Sequence, residues 1–230
     1  MRVDRAVILA AGLGTRLKWL TCNRPKALIP VAGEPAITHV IRSLASQGIR
    51  DIAINVHHHA DQLVKVLGDG SRFGVRLYFS REETLLDSGG GVRTAMELLP
   101  GDGLLTIHNA DVLTDVDVHA LADRCPQTGC ALGLVPNPAH HPEGDFSLQD
   151  GLISSLQDDD PRYTFSGVSV WDQSAFDTWP SGQCFPLTEA IHRLVDGRRC
   201  AGILHGGLWF DMGRPRDLIQ ARRQIHALER

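Results

Sequence analysis

No apolar run in this 230-residue chain approaches the ~20 residues that a membrane-spanning helix needs, which argues against a membrane partner. The N-terminal stretch MRVDRAVILAA has too short an apolar core for a signal peptide and reads better as a first strand. Paired cysteines are missing as well. Cys22, Cys125, Cys130, Cys184 and Cys200 are scattered, odd in number and without a second pair at zinc spacing, which excludes a disulfide scaffold or zinc ribbon and implies reduced thiols in the cytoplasm. There is no basic excess: the formal net charge is −4 and the isoelectric point about 6.2, so nothing favours nucleic acid or an anionic membrane as partner. Any anionic ligand must be met by a few placed cations and backbone dipoles. Two phosphate-binding patterns are also absent. After Gly12 and Gly14, the third position of a dinucleotide fingerprint is Leu17, and no Gly-Lys-Ser/Thr occurs in the chain.

What is present is a regular alternation. With 43% hydrophobic and 22% charged residues the chain suits one large domain. Arg5 to Ala11 reads as a buried strand, Ala36 to Gln47 as a helix stopped by Gly48, and Asp51 to Val56 as a strand. A helix over Ala60 to Leu67, a strand over Val75 to Phe79, a helix over Val92 to Leu99 opening on three glycines, and a strand over Leu104 to His108 follow. Such alternation argues for an α/β protein with a parallel sheet covered on both faces. After a helix at 118–124 the pattern turns to strands: Cys130 to Pro136, Phe146 to Gln149, Leu152 to Leu156 and Phe165 to Trp171. Helices over Leu187 to Val195 and Pro215 to Leu228 close the chain. The expectation is one domain, 1–230, with a first lobe over 1–125 and a second over 126–230. Ligands should sit at the carboxyl edge of the sheet.

The loop after the first strand, LAAGLGTRL, has small residues that expose backbone N–H groups, followed by Arg16 and then Pro25-Lys26. Such N–H groups suit phosphate oxygens; Arg16 offers a two-pronged hydrogen bond and Lys26 a point charge. By itself the loop is equally consistent with a plain turn. Asp111, at a strand's carboxyl end in HNADVLTD, suits Mg²⁺, which takes few protein carboxylates and fills its shell with phosphates and water. The alternative is a turn or cap role, which Asp115 or Asp117 would also fill ahead of helix 118–124. Asp211, among apolar residues in WFDMG, needs a partner if buried.

The segment LAAGLGTRL followed by RPKALIPVAG resembles the signature of the sugar-1-phosphate nucleotidyltransferases, the NDP-sugar pyrophosphorylases. Similar stretches run down the chain: LLDSGGGV, IHNADVLTD, GDFSL, FSGVSV and WFDMG. Within the family, the short length, triple glycine, GDF and FSG are most similar to the N-acetylmuramate-1-phosphate uridylyltransferase branch. Trp19 and Ala110 stand where the family usually has proline and glycine. The resemblance implies a Rossmann-like, GT-A-like fold: a mostly parallel central sheet flanked by helices, with a small β-rich sugar-binding lobe. It implies a nucleoside triphosphate, UTP by branch likeness, and a sugar 1-phosphate as partners, with Mg²⁺ as cofactor. By position it assigns Arg16 and Lys26 to catalysis and Asp111 and Asp211 to the metal. Ala10, Ala11, Gly12, Leu13, Gly14, Thr15, Arg16, Ser88, Gly89, Gly90 and Asn109 fall to the nucleotide, the SGGG stretch as a loop closing over the base. Gly144, Asp145, Ser166 and Gly167 fall to the sugar, although Asp145 and Ser166 would also serve to satisfy backbone groups at strand ends.

Other clusters read more plainly. Adjacent histidines at His57-His58-His59 diverge and form no zinc set, His140-His141 belongs to a loop, and Asp158-Asp159-Asp160 is a solvated turn. Two other functions stay open: transfer to a non-sugar phosphate such as phosphocholine, for which Trp171, Trp179 and Trp209 are too dispersed to form an aromatic box, and a non-catalytic nucleotide sensor. No fused acyltransferase or β-helix domain is expected after the last helix, leaving monomer or homodimer.

Overall fold

The computed structural model describes residues 3–12, 14, 21–154, 161–212 and 217. The first strand, β1 (Arg5–Leu9), lies between β4 (Asp51–Val56) and β6 (Leu104–Asn109), with β5 (Arg76–Arg81) outside β4, and all these pairs are parallel. Its apolar run is continuous because both faces are covered. Ala6 and Ile8 pack with the helices α1 (Ala36–Ser46), α2 (Ala60–Leu67) and α4 (Val118–Arg124) on one side. Val7 packs with α3 (Asp87–Ala95) and α5 (Leu187–Asp196) on the other. The helical spacing of Ile37, Val40, Ile41 and Leu44 places all four at 1% exposure or less. Asp117 caps α4, its Oδ1 accepting the N–H groups of His119 and Ala120 at 2.8 and 3.1 Å. Among the described residues no helix is long and apolar enough to cross a membrane.

Beyond β6 the sheet changes character. Its order is β5-β4-β1-β6-β11-β8-β12-β10-β9, with β8 (Cys130–Val135), β9 (Phe146–Gln149), β10 (Leu152–Ser154), β11 (Arg162–Asp172) and β12 (Cys200–Leu204). β11 is antiparallel to both β6 and β8, and its first residues also pair with β9. β11, β8, β12, β10 and β9 therefore form a closed circuit of pairings, the β-rich lobe that the second half of the sequence suggests. The sheet is parallel in the first half and mixed in the second. Short ladders join β2 (Pro30–Val31) to β3 (Glu34–Pro35), and β7 (Val112–Thr114) to β13 (Trp209–Asp211). The strand pattern had not signalled β12, β7 or the β2–β3 pair. All five cysteines are free thiols.

One boundary differs from expectation in an informative way. The helix read over Val92 to Leu99 starts at Asp87, so the three glycines are inside α3 rather than in a loop before it. A Cβ at Gly89 would lie 2.4 Å from the Phe185 ring, at Gly90 2.1 Å from the Gln183 carbonyl, and at Gly91 2.4 Å from Asn55 Nδ2. Close packing on both sides, not conformational freedom, selects glycine here. It outweighs the roughly 1 kcal/mol per residue that glycine costs in a helix. The expected helix from Pro215 and the Asp158–Asp160 turn lie outside the described residues, apart from Asp217.

Candidate active site

Because β1, β4, β5 and β6 run parallel, their carboxyl ends open onto one edge, and the residues that follow them line a cavity of about 650 Å³. Ala10, Ala11, Gly12 and Gly14 come from the loop after β1, Ala110 and Asp111 from the turn after β6. Gly14 has φ +63°, and a Cβ there would stand 2.8 Å from Thr21 Cγ2, so this position requires glycine. Gly12, by contrast, has no atom of the described residues within 4 Å of the place a Cβ would take. A buried strut fixes the start of the loop. Asn55 Oδ1 accepts the Ala10 N–H at 2.7 Å, and its Nδ2 donates to Glu82 Oε1 at 2.8 Å. Glu82 Oε2 then accepts the Leu86 N–H at 3.1 Å, tying three strand ends to the approach of α3.

A second cavity of about 270 Å³ adjoins the first, and Asn109 and Asp111 line both. Lys26, on a short turn at Lys26–Leu28, forms an ion pair with Asp111 at this junction. Asp211 also lines the second cavity; Met212 N–H donates to the Asp111 carbonyl at 2.8 Å and Asp211 pairs with Val112, so the β7–β13 ladder brings the two aspartates to the same cavity. Two carboxylates lining one cavity suit Mg²⁺, which binds through one or two carboxylates and completes its shell from phosphates and water. Among the described residues no group of three or more ligating side chains competes as a metal site. Gly167, at φ +82° in the irregular stretch between Phe165 and Ser169, lies so close to Asn109 that a Cβ would come within 2.7 Å of its amide. Behind the junction His108 is buried, its Nδ1–H donating to the Asn109 carbonyl at 2.8 Å, and burial pushes its pKa down to about 4. It is a neutral support, not a proton donor to the cavity.

The sequence profile of the Nucleotidyl transferase family matches residues 5–227. The chain belongs to this family. It is 38% identical over 215 residues to an N-acetylmuramate alpha-1-phosphate uridylyltransferase of Neisseria meningitidis serogroup B, covering 91% of this chain and 93% of that one. It is 32% identical over 235 residues to the protein of the same name from Caulobacter vibrioides, covering 96% of each. The structure of an inositol-1-phosphate CTP transferase from T. maritima superposes with a TM-score of 0.79 over 97% of this chain and 96% of that one; at 18% identity this supports the fold alone.

In this nucleotidyl transferase the residues expected at the nucleotide divide into three groups. Ala10, Ala11, Gly12, Gly14, Ser88 and Asn109 line the first cavity, as do Lys26, expected for catalysis, and Asp111, expected at the metal. Leu13, Thr15 and Arg16 lie outside the described residues, as does the unusual Trp19. Gly89 and Gly90 do not line the cavity: they are buried, and both donate their N–H groups to the Phe185 carbonyl, at 2.9 and 3.0 Å. The free N–H groups of a helix start are thus spent on the chain's own segment rather than on a base. Ser88 has a similar structural duty, its hydroxyl accepting the Leu187 N–H at 2.9 Å. Of the sugar-side residues, Asp145, Ser166 and Gly167 line the second cavity, whereas Gly144 does not; it turns the chain at φ +63° against Asn137. Ser166 is fully buried with its hydroxyl accepting the Val168 N–H, and Asp145 accepts the Phe165 N–H, so the reading in which they satisfy strand-end backbone groups describes them. Asp115 holds the Leu208 N–H and His205, leaving the α4 cap to Asp117. His57 Nδ1–H donates to the Glu82 carbonyl, and His59 Nε2 contacts the Cys22 carbonyl. Asn55, Glu82, Asp87, Cys184, His140 and His141 were missed as cavity residues. Cys184 comes there because the segment leading into α5 packs against the start of α3, Phe185 N–H donating to the Leu86 carbonyl at 3.1 Å.

Proposed function

We propose that the chain transfers a nucleotidyl group from a nucleoside triphosphate, UTP in preference, to a sugar 1-phosphate, N-acetylmuramate 1-phosphate or a related hexose 1-phosphate, releasing pyrophosphate. The observation that carries this reading is the junction: two cavities that share Asn109 and Asp111, with Lys26 held at the shared wall. A triphosphate in the larger cavity and an acceptor phosphate in the smaller would meet there. The uridylyltransferase names of the two relatives support the base and the acceptor.

In-line attack by the acceptor's phosphate oxygen on the α-phosphorus needs positioning and charge neutralisation, with little covalent help from the protein. Lys26 would bring positive charge to the α-phosphate and the incoming phosphate, exchanging Asp111 for phosphate oxygens as they arrive. Arg16 would meet the leaving β,γ-phosphates. The small residues at Ala10 to Gly12 keep side-chain bulk away from the ribose and base. Asp111 and Asp211 would hold Mg²⁺, which when bound offsets the negative charge crowded between the reacting phosphates.

The test is pyrophosphate release over a panel of nucleoside triphosphates against sugar 1-phosphates and phosphocholine, with and without Mg²⁺. Turnover with UTP and one sugar phosphate, lost on chelation, is expected. Turnover only with phosphocholine would replace the acceptor class. Silence throughout with triphosphate binding intact would point to a nucleotide sensor and overturn the proposal.

A further inference from the structure

The smaller cavity has an unusual polarity for a site that must accept an anion. Asp111, Asp145 and Asp211 line it, and among the described residues the lining side chains able to carry positive charge are His140 and His141. Most of its polar groups are already engaged. Asp111 is paired with Lys26, and the Trp209 indole N–H donates to the Ser166 carbonyl at 2.8 Å. Both oxygens of Asp145 are in use: Oδ2 accepts the Phe165 N–H at 2.8 Å, and Oδ1 lies 3.0 Å from His141 Nε2. A sugar hydroxyl therefore gains little from Asp145. Among the described residues, what stays available to a ligand is the Asn109 amide at the junction and, further out, His140, with no hydrogen-bond partner, the second nitrogen of His141, and the apolar flanks of Phe165 and Trp209.

The two imidazoles are held by more than the chain's path. Their loop follows β8, whose carboxyl end reaches the same sheet edge as β1 and β6. His141 N–H donates to the Pro138 carbonyl at 2.8 Å, Asn137 Nδ2 donates to the Pro142 carbonyl at 2.9 Å, and Asp145 N–H closes the loop on the Tyr163 carbonyl at 2.8 Å. An imidazole with one nitrogen already donating to a carboxylate can donate from its other nitrogen to a second carboxylate once it is protonated, and His140 supplies a further donor beside it. Neutral sugar hydroxyls exploit neither feature.

We infer that His140 and His141 form a carboxylate-recognition subsite in the acceptor cavity, so that the acceptor class is sugar 1-phosphates bearing a carboxylate, as N-acetylmuramate 1-phosphate does through its lactyl ether. This rests on the nucleotidyl-transfer reading above. The histidines set specificity and take no part in the bond exchange at phosphorus.

The experiment compares N-acetylmuramate 1-phosphate with its lactyl methyl ester, which keeps the bulk and loses the charge, at saturating UTP. The wild-type chain should favour the acid by about tenfold or more in kcat/KM. The double variant His140→Gln/His141→Gln should lose roughly 10- to 100-fold on the acid, mostly through KM, the range expected for a charge-assisted hydrogen bond. The ester should change by less than about twofold and KM for UTP should hold, which shows that the variant is folded. Equal use of acid and ester by the wild type, or equal losses on both in the variant, would overturn the inference. So would turnover of carboxylate-free sugar phosphates alone, and in that case the nucleotidyl-transfer reading survives. If no sugar phosphate reacts, both fail together.

Discussion

The two cavities are built by opposite means. Around the larger one the wall is rich in small residues at the ends of parallel strands, held from beneath by buried polar struts such as Asn55–Glu82 and by glycines pressed against neighbouring chain. Around the smaller one the wall holds larger polar and aromatic residues, carried by an irregular antiparallel strand, a loop after β8 and the short β7–β13 ladder. A wall of small residues suits a ligand part common to many reactions, such as a triphosphate. A wall of larger side chains can change with single substitutions without disturbing the sheet. The difference suggests that errors in the first half should show as lost stability or lost triphosphate binding, and errors in the second as altered acceptor choice.

The most severe test of this division is at its border. Lys26→Ala should lower turnover by ~10²-fold or more, the cost of losing one transition-state donor, with secondary structure unchanged. Pyrophosphate release at saturating substrates measures it, and full turnover would remove Lys26 from the mechanism. Two glycines of the first half sharpen the comparison next. Gly90→Ala drives a Cβ to 2.1 Å from the Gln183 carbonyl and should destabilise by about 1–3 kcal/mol in urea unfolding. Gly12→Ala meets no described atom within 4 Å and should leave stability within about 0.5 kcal/mol while weakening triphosphate binding, read by calorimetry. Equal destabilisation by both would mean that the loop, like α3, is selected for packing.

His108 lies on β6, opposite Val168 of β11, where the two halves join. Its pKa in the fold, about 4, is below the ordinary 6.5 because burial disfavours the imidazolium. The unfolded chain therefore takes up the proton first, so this contribution is complete above pH 6.5 and is lost as pH falls towards 4. Between pH 7.5 and pH 5 the wild type should lose about 2 kcal/mol more than His108→Gln, compared by urea unfolding at each pH. Parallel losses would show that other groups dominate the acid limb. The smallest effect expected is Asp117→Ala, about 1 kcal/mol from the lost α4 cap, seen as a lower thermal midpoint with turnover retained.

Where a signal is local, the sequence was a good guide. β4, α2, α4 and β9 have the bounds that spacing suggested, because an apolar face at period two or 3.6, with a glycine or Asp117 at the border, encodes an element without reference to distant chain. β12, β7 and the true start of α3 were not legible. Short strands gain their identity from the neighbour they pair with, and three successive glycines look like a hinge until Phe185 and Gln183 are seen to fill the space beside them. The site shows the same split. The small-residue loop, Lys26 and the two aspartates stand out by residue type and take their expected roles from the family resemblance, whereas His140 and His141 read as an ordinary loop because nothing near them in sequence shows that Asp145 and Trp209 line the same cavity.

The sequence by itself determined the alternation of strands and helices, the phosphate-suited loop and the carboxylates at strand ends, since these follow from side-chain chemistry within a few residues of each other. Only the tertiary structure decided that two cavities meet at Asn109 and Asp111, that Asp145 and Ser166 are spent on the backbone, and that a segment from the second half supplies Cys184 to the first cavity. Each of these depends on groups distant in the chain competing for the same hydrogen bonds or the same volume, and that competition is resolved only when the chain is packed.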